Sequence, residues 1–474
     1  MTPAVRIGLF GVGLKSYWGQ FEGLRERLGG YQTQIAGRLR TFGADVVDAG
    51  IIDSVDAAHQ AAAHFRSGQV DLLVLNVSTY ALSSTVLPVV QAARVPVVVL
   101  SLQPAARLDY ARFNAIVDRG TMTGIWLEHC QACSVPELSS AFNRAGIPFR
   151  LVVGHLADEA AWRELREWVD AAQVATAMRR VNVGVLGHYY GGMLDVYSDL
   201  TQQSATFGTH FELLEMCELH ALHVAVTNAA VAAKLTEFHR DFAVAAECEP
   251  QELIRAARTS CALDALVEKY GLQSLAYYYE SVDDSPYRDI VTSTIAGMTL
   301  LTGRHVPAAG ECEIKNVQAM KMLDLLGVGG SFAEFYLADF DDDVLLLGHD
   351  GPAHPMTAKG SVGLVPLPMY HGKPGRGLSI QASVRHGPVT LLSVVQRRDG
   401  SLAFLLAEAE SVPGDVLQIG NTNSRYRFPI GVKAFIRAWS AAGPAHHCAI
   451  GVGRVAGTLD KLGRLLGVDV IRAC

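Results

Sequence analysis

Five short runs in the first third of the chain, VRIGLF (5–10), ADVVDAG (44–50), VDLLVLNV (70–77), VPVVVL (95–100) and FRLVVG (149–154), are rich in β-branched residues, and helical periodicity near 20–41 and 55–66 separates the first of them. Strands with little polar face belong to a parallel sheet covered by helices on both sides. The segment therefore predicts a doubly wound α/β domain, placed at 1–178. A long helical pattern, DEAAWRELREWVDAAQVATAMRR (158–180), leads into a new strand, VNVGVLGHYY (181–190). FELLEM (211–216), helical patterns near 218–240, 251–270 and 287–302, and YYYE (277–280) follow, so the alternation restarts as a second α/β domain, placed at 179–330. Beyond that point VLLLG (344–348), GLSIQASV (377–384), VTLLSVVQ (389–396) and LAFLLAEAE (402–410) are spaced by Gly, Pro and Asp turns with little helix. That pattern predicts an antiparallel, β-barrel-like domain over 331–474. The expected architecture is thus two doubly wound parallel-sheet α/β domains followed by a C-terminal antiparallel barrel-like domain.

Length agrees, since 474 residues exceed one ordinary core. A hydrophobic fraction of 50% with 18% charged residues describes a well-packed chain, and a net charge of -7 offers no basic surface for a nucleic-acid backbone. No run is apolar for about 18 residues, and MTPAVRIGLFGVGLK lacks the flanks of a secretory signal. The expectation is a cytoplasmic protein with no nucleic-acid or membrane partner. Of eight cysteines, six stand alone. The exception, HCQAC (129–133), has a C-x-x-C spacing that fits half a zinc site or a redox pair; without a second pair, it reads as buried thiols.

Two other motifs are read as turns. FGVGLKS (10–16) sets Gly11 and Gly13 between strand and helix but lacks the third glycine of a dinucleotide fingerprint. ADFDDDVLLLG (338–348) clusters Asp339, Asp341, Asp342 and Asp343 without the central Gly and terminal Glu of a calcium loop, so a solvated hairpin is expected.

More informative are ligand-type residues at element boundaries. Glu311 sits where a Gly-containing loop meets the helical pattern IKNVQAMKMLDLLG; Glu334 follows a Gly-Gly turn; His349 ends VLLLG; His446 and His447 follow a Gly-Pro turn. Rigid scaffolds present functional side chains at such places. Two carboxylates with imidazoles form a mixed O/N donor set suited to Mn²⁺, with Co²⁺ or Mg²⁺ as alternatives.

The series AGECE (309–313), GVGGSFAEFY (327–336), VLLLGHD (344–350), HGKPGR (371–376) and GPAHH (443–447) resembles, in order and spacing, the L-arabinose isomerases and more broadly the L-arabinose/L-fucose isomerase superfamily. The first half adds only local similarity, in SYWGQFEGL (16–24) and FRLVVGHL (149–156). The resemblance implies that Glu311, Glu334, His349 and His447 hold Mn²⁺, with His446 as the alternative to His447. It also implies a three-domain subunit in a homo-oligomer, a trimer or hexamer, with the sugar site at a subunit interface.

The chemistry is consistent with the residue types. Moving a carbonyl between C1 and C2 of a sugar requires a proton removed next to a carbonyl, a cation that binds both oxygens, and carboxylates to carry the proton; Glu311 and Glu334 are the catalytic pair expected. A hydride shift would use the same residues. Two departures from the family bear on substrate choice: Lys15 in GLKSYW replaces a glutamine, and Cys133 stands where the relatives place a histidine. Lys373, with Arg376, belongs to a basic turn that contacts either substrate or solvent. The expected activity is a metal-dependent aldose–ketose isomerase of a pentose or 6-deoxyhexose. The alternatives are an epimerase or lyase of a sugar acid or branched sugar on the same scaffold, and a non-catalytic sugar-binding protein.

Overall fold

The computed structural model describes residues 4–280, 285–369 and 375–474. Lys373 of the basic turn lies outside them. The chain divides into two compact units, Met1–Thr176 and Ala177–Cys474, and forms a mixed α/β structure with parallel sheets and a closed antiparallel barrel on the C-terminal side. Among the described residues no helix is long and apolar enough to cross a membrane.

The first unit holds one parallel sheet of β1 (Arg6–Val12), β2 (Asp45–Ile52), β3 (Leu72–Val77), β4 (Val97–Gln103) and β5 (Phe149–His155). Their order, β2-β1-β3-β4-β5, is one of the two common doubly wound orders. The five apolar runs seen in the sequence are these five strands. The inner β1, β3 and β4 are buried almost throughout, whereas the edge strands β2 and β5 are partly exposed. The helical pattern at 20–41 divides into Lys15–Gln20 and Leu24–Thr41, because Gly23 takes a left-handed φ of 70° between them. Such a backbone ends a helix at little cost only where no Cβ is present.

HCQAC departs from expectation. Cys130 and Cys133 are joined in a disulfide, and only Cys130 is buried; Cys133 is exposed. Two separate buried thiols were read from the sequence because no second cysteine pair offered a partner, but residues three apart across a helix end are already within bridging reach: their Cα atoms lie 5.5 Å apart.

The second unit begins with β6 (Asn182–Gly187), β7 (His210–Leu214), β8 (Phe242–Val244), β9 (Ser274–Tyr278) and β10 (Ala308–Ala309). Four of them make a parallel sheet ordered β10-β9-β6-β7. The helical pattern at 218–240 is two helices, Met216–Ala225 and Asn228–Asp241, since the Thr227 side chain accepts a hydrogen bond from Ala230 N and caps the second.

Nine further strands follow: β11 (Gly329–Asp339), β12 (Val344–His349), β13 (Val362–Leu367), β14 (Gly377–Gln381), β15 (Gly387–Gln396), β16 (Leu402–Val412), β17 (Thr422–Arg427), β18 (His447–Val452) and β19 (Asp469–Arg472). Strands β15-β18-β11-β12-β17-β16 pair in that order, and β16 pairs back to β15, so six antiparallel strands close into a barrel. β19 adds in parallel to β16; β13 and β14 join β8 in a small separate sheet. Closure removes the unpaired edges that antiparallel sheets otherwise expose. The Asp cluster is the turn between β11 and β12, as expected: Asp339 Oδ1 accepts from Asp341 N and Asp342 N, and the buried Arg425 pairs with Asp342.

One element links sheet and barrel. The helix Ile314–Leu325 is buried along almost its whole length and packs on β9, β11, β15 and β18. Most of its polar side chains find partners, as burial demands. Gln318 Nε2 donates to Thr209 Oγ1 at 2.8 Å, Lys321 Nζ to His305 O at 2.7 Å, and Asp324 meets Lys321 and His305. A helix so held fixes the loop that precedes it.

Candidate metal centre

Barrel register brings three of the expected ligands together. On β11, Glu334 is the direct partner of both Gly348 on β12 and His447 on β18, and His349 is the next residue along β12. Three neighbouring strands therefore carry Glu334, His349 and His447 to one level. The close approach requires glycine at 348: a Cβ there would meet Thr422 O at 2.0 Å and Asn423 Cα at 2.8 Å. His349 and His447 are buried and both rings pack against Phe332, with centroid distances of 4.4 Å for each.

Glu311 arrives from elsewhere, on the loop between β10 and the buried helix. Glu311 and Cys312 both have φ of 56°, a left-handed backbone that non-glycine residues adopt at a cost. The loop is held by Cys312 N donating to Tyr277 O at 3.0 Å and Glu313 N donating to Gly310 O at 3.0 Å. So placed, Glu311 Oε1 lies 3.8 Å from His349 Nε2, and Oε2 lies 3.4 Å from His447 Nε2 and 3.4 Å from His446 Nε2. His446 Nε2 is also 3.9 Å from Glu334 Oε2.

Two sets of three residues, Glu311–His446–His447 and Glu334–His349–His447, each bring candidate ligand atoms within 4.8 Å of one another. The set passes a test of fit for a cation. Glu311 Oε2 and both nitrogens of His447 are buried with no hydrogen-bond partner among the described residues. Buried polar atoms are almost always satisfied; here Glu311 Oε2 and His447 Nε2 face each other at 3.4 Å, while His447 Nδ1 lies on the other side of the ring toward Glu313. Carboxylate oxygens with imidazole nitrogens suit a divalent ion such as Mn²⁺, Co²⁺ or Mg²⁺.

The two carboxyls are pushed apart. Burial alone would raise Glu311, but His446, His447 and His349 outweigh it and hold the group below its ordinary range. Burial raises Glu334, supported by Glu311 and Asp350 and only partly opposed by the histidines. Burial also pushes His447 well down, with His349 adding to it. His446 behaves oppositely: burial would lower it, yet the Glu311 and Asp195 carboxylates lift it to about 9.

Two supporting residues escaped the sequence reading. Asp195 Oδ2 is 2.6 Å from His446 Nδ1 and accepts from His446 N at 3.0 Å, which turns the ring's Nε2 toward the carboxylates. Glu313 is fully buried, paired with Lys315 at 2.9 Å, and its Oε2 stands 3.8 Å from His447 Nδ1. Glu313 had a signal, being two residues from Glu311 in AGECE; Asp195, on a loop more than a hundred residues earlier, had none. Lys15 and Cys133 belong to the first unit, where Lys15 is the exposed first residue of its helix.

A cavity of about 400 Å³ opens onto Glu311, Glu334, His349 and His446. Tyr190, Tyr278, Ile295 and Met298 also line it, and among the described residues no Lys or Arg does.

Comparison with known proteins adds one distant relative. No family model matches the chain. An L-arabinose isomerase from Erwinia tasmaniensis is 22% identical over 347 residues, covering 69% of this chain and 67% of that one. A GDSL-like lipase from Bacteroides thetaiotaomicron superposes with a TM-score of 0.18 over 32% of this chain and 71% of that one, at 16% identity, which defines no common fold. The chain is thus distantly similar to an L-arabinose isomerase over 69% of its length.

Proposed function

We propose that this chain is a divalent-metal-dependent aldose–ketose isomerase acting on a neutral sugar, with Mn²⁺ held by Glu311, Glu334, His349 and His447. The observation that carries the reading is the meeting of these four side chains, from three barrel strands and one strained loop: Glu311, Glu334 and His349 line one cavity, and the fully buried His447 lies 3.4 Å from Glu311. A bound cation supplies a positive charge that polarises the sugar carbonyl and lowers the cost of removing the neighbouring proton.

The protein's own groups do the rest. Glu311, held below the usual carboxyl range, takes the proton from C2 of the aldose while the C1–C2 double bond forms. Glu334, held above it, gives a proton to the carbonyl oxygen at C1. The reverse transfers complete the change: Glu334 recovers the proton from O2 as the C2 carbonyl forms, and Glu311 returns its proton to C1. His446, fixed by Asp195, faces both carboxylates and positions the sugar hydroxyls between them.

The lining supports a neutral substrate over a sugar acid. A carboxylate substrate would face Glu311, Glu334 and Asp350, with no Lys or Arg among the described lining residues and with the imidazolium of His446 already paired to Asp195 and Glu311. The test is turnover of a panel of pentoses, 6-deoxyhexoses and sugar acids by Mn²⁺-loaded protein in D₂O, followed by NMR. Ketose carrying deuterium at C1 from one neutral sugar is expected. Ketose without deuterium would replace the enediol route by a hydride shift, and turnover of sugar acids alone would overturn the neutral-sugar reading.

A further inference from the structure

We propose that Cys130 and Cys133 form a redox-active dithiol/disulfide site that exchanges with an external dithiol through Cys133. The two sulfurs are joined in the first unit, at the end of the helix Arg119–Glu128. Their environments are unequal. Cys133 is exposed, whereas Cys130 is 2% exposed and packs among Leu24, Leu28 and Leu127. An attacking thiolate therefore reaches only one of the two sulfurs.

The bond does not look like a staple. It closes a separation of three residues, and the stabilisation a disulfide gives through chain entropy shrinks with loop length. The loop is also clamped without it. Gln131 Nε2 donates to Ser78 O at 2.9 Å and to Glu128 O at 2.7 Å, and Ser134 Oγ accepts from Ala81 N at 2.7 Å, both side chains being buried. Reduction therefore leaves the two sulfurs facing each other at high effective concentration, ready to close again. Cys133 also stands just ahead of the ten-residue helix Val135–Arg144, whose positive end favours a thiolate there.

The exchange balances as follows. A thiolate of the external dithiol attacks Cys133 Sγ, forming a mixed disulfide, and Cys130 Sγ leaves as a thiolate that takes a proton. The second thiol of the reagent then attacks its partner sulfur in the mixed disulfide and releases Cys133. The protein gains two electrons and two protons, and the external dithiol becomes a disulfide.

The test uses the folded full chain and dithiothreitol, read on the tryptic peptide 120–144, which contains these two cysteines and no other. After dithiothreitol in native buffer, with the circular dichroism unchanged, acid quenching and alkylation in denaturant should label both sulfurs, and the bond should return when glutathione disulfide replaces the reductant. In Cys130→Ser, Cys133 should take one glutathione; in Cys133→Ser, Cys130 should take none. A bond that opens only after denaturation, or thiols that stay reduced under diamide, would overturn the proposal, and the wild-type titration decides this even where a variant fails to fold. Absence of the adduct in a folded Cys130→Ser protein would overturn attack at Cys133.

Discussion

The barrel rim and the loop at 310–313 deliver the same kind of side chain by opposite means. Glu334, His349 and His447 lie on paired strands in ordinary extended backbone, and hydrogen-bond register alone sets them side by side. Glu311 stands on two successive left-handed residues, followed by a helix anchored in the interior through Gln318, Lys321 and Asp324. A strand pair places ligands at no backbone cost but only at fixed spacings. A strained loop reaches a position that no strand offers, and the surrounding packing has to hold it there.

The largest expected effect tests whether the two deliveries serve one reaction. Glu311→Gln and Glu334→Gln should each lower kcat by about 10³-fold, with folding unchanged by circular dichroism; a large loss in one alone would break the pairing of loop and rim. On the rim, Gly348→Ala drives a Cβ into Thr422 O, 2.0 Å away. It should cost about 3 kcal/mol, read as a lower denaturant midpoint with an unchanged slope.

Behind the loop, Asp324 ties the buried helix to His305 before it and His354 beyond the rim. Burial would raise this carboxyl, but His354, Lys321 and His305 outweigh it and lower it from 3.8 to about 2. A depressed carboxyl stabilises the fold above its ordinary value, and that contribution disappears as pH falls through about 2. Stability should therefore drop by about 2 kcal/mol across that window, and an Asp324→Asn protein should show a flatter profile there. The smallest effect sharpens the contrast most. Glu311→Gly relieves one left-handed residue and should raise stability by about 1 kcal/mol, while Mn²⁺ affinity measured by titration falls; a lower melting temperature would show that the loop is not strained.

The sequence revealed these regions unequally. Strands β1, β3 and β4 were legible because a strand buried on both faces writes itself as an apolar run, and the partly exposed β2 and β5 because their β-branched residues recur between helical segments. Glu311, Glu334, His349 and the His446–His447 pair were legible as ligand-type residues at element ends. What closes the barrel was not: the pairing of β11 with β18 joins segments more than a hundred residues apart, and no local pattern encodes it. Asp195 and Glu313 were missed for a related reason. Each acts by touching a histidine distant in sequence, and an acidic residue beside a loop looks the same whether it faces water or an imidazole. The bond between Cys130 and Cys133 was underrated because cysteine counting looked for two pairs and set aside the local geometry of one.

The register that sets the rim also has a consequence for biosynthesis. The ligands span Glu311 to His447, and β18, which bears His447, is inserted between β11 and β15. At the usual rate of synthesis, roughly 7 to 27 s separate the appearance of Glu311 from that of His447. During that interval the growing polypeptide exposes strands without their neighbour and offers an incomplete set of donors. Cation uptake at the proposed site would therefore be a late event, and a ribosome-stalled chain ending before β18 would be a client for chaperones.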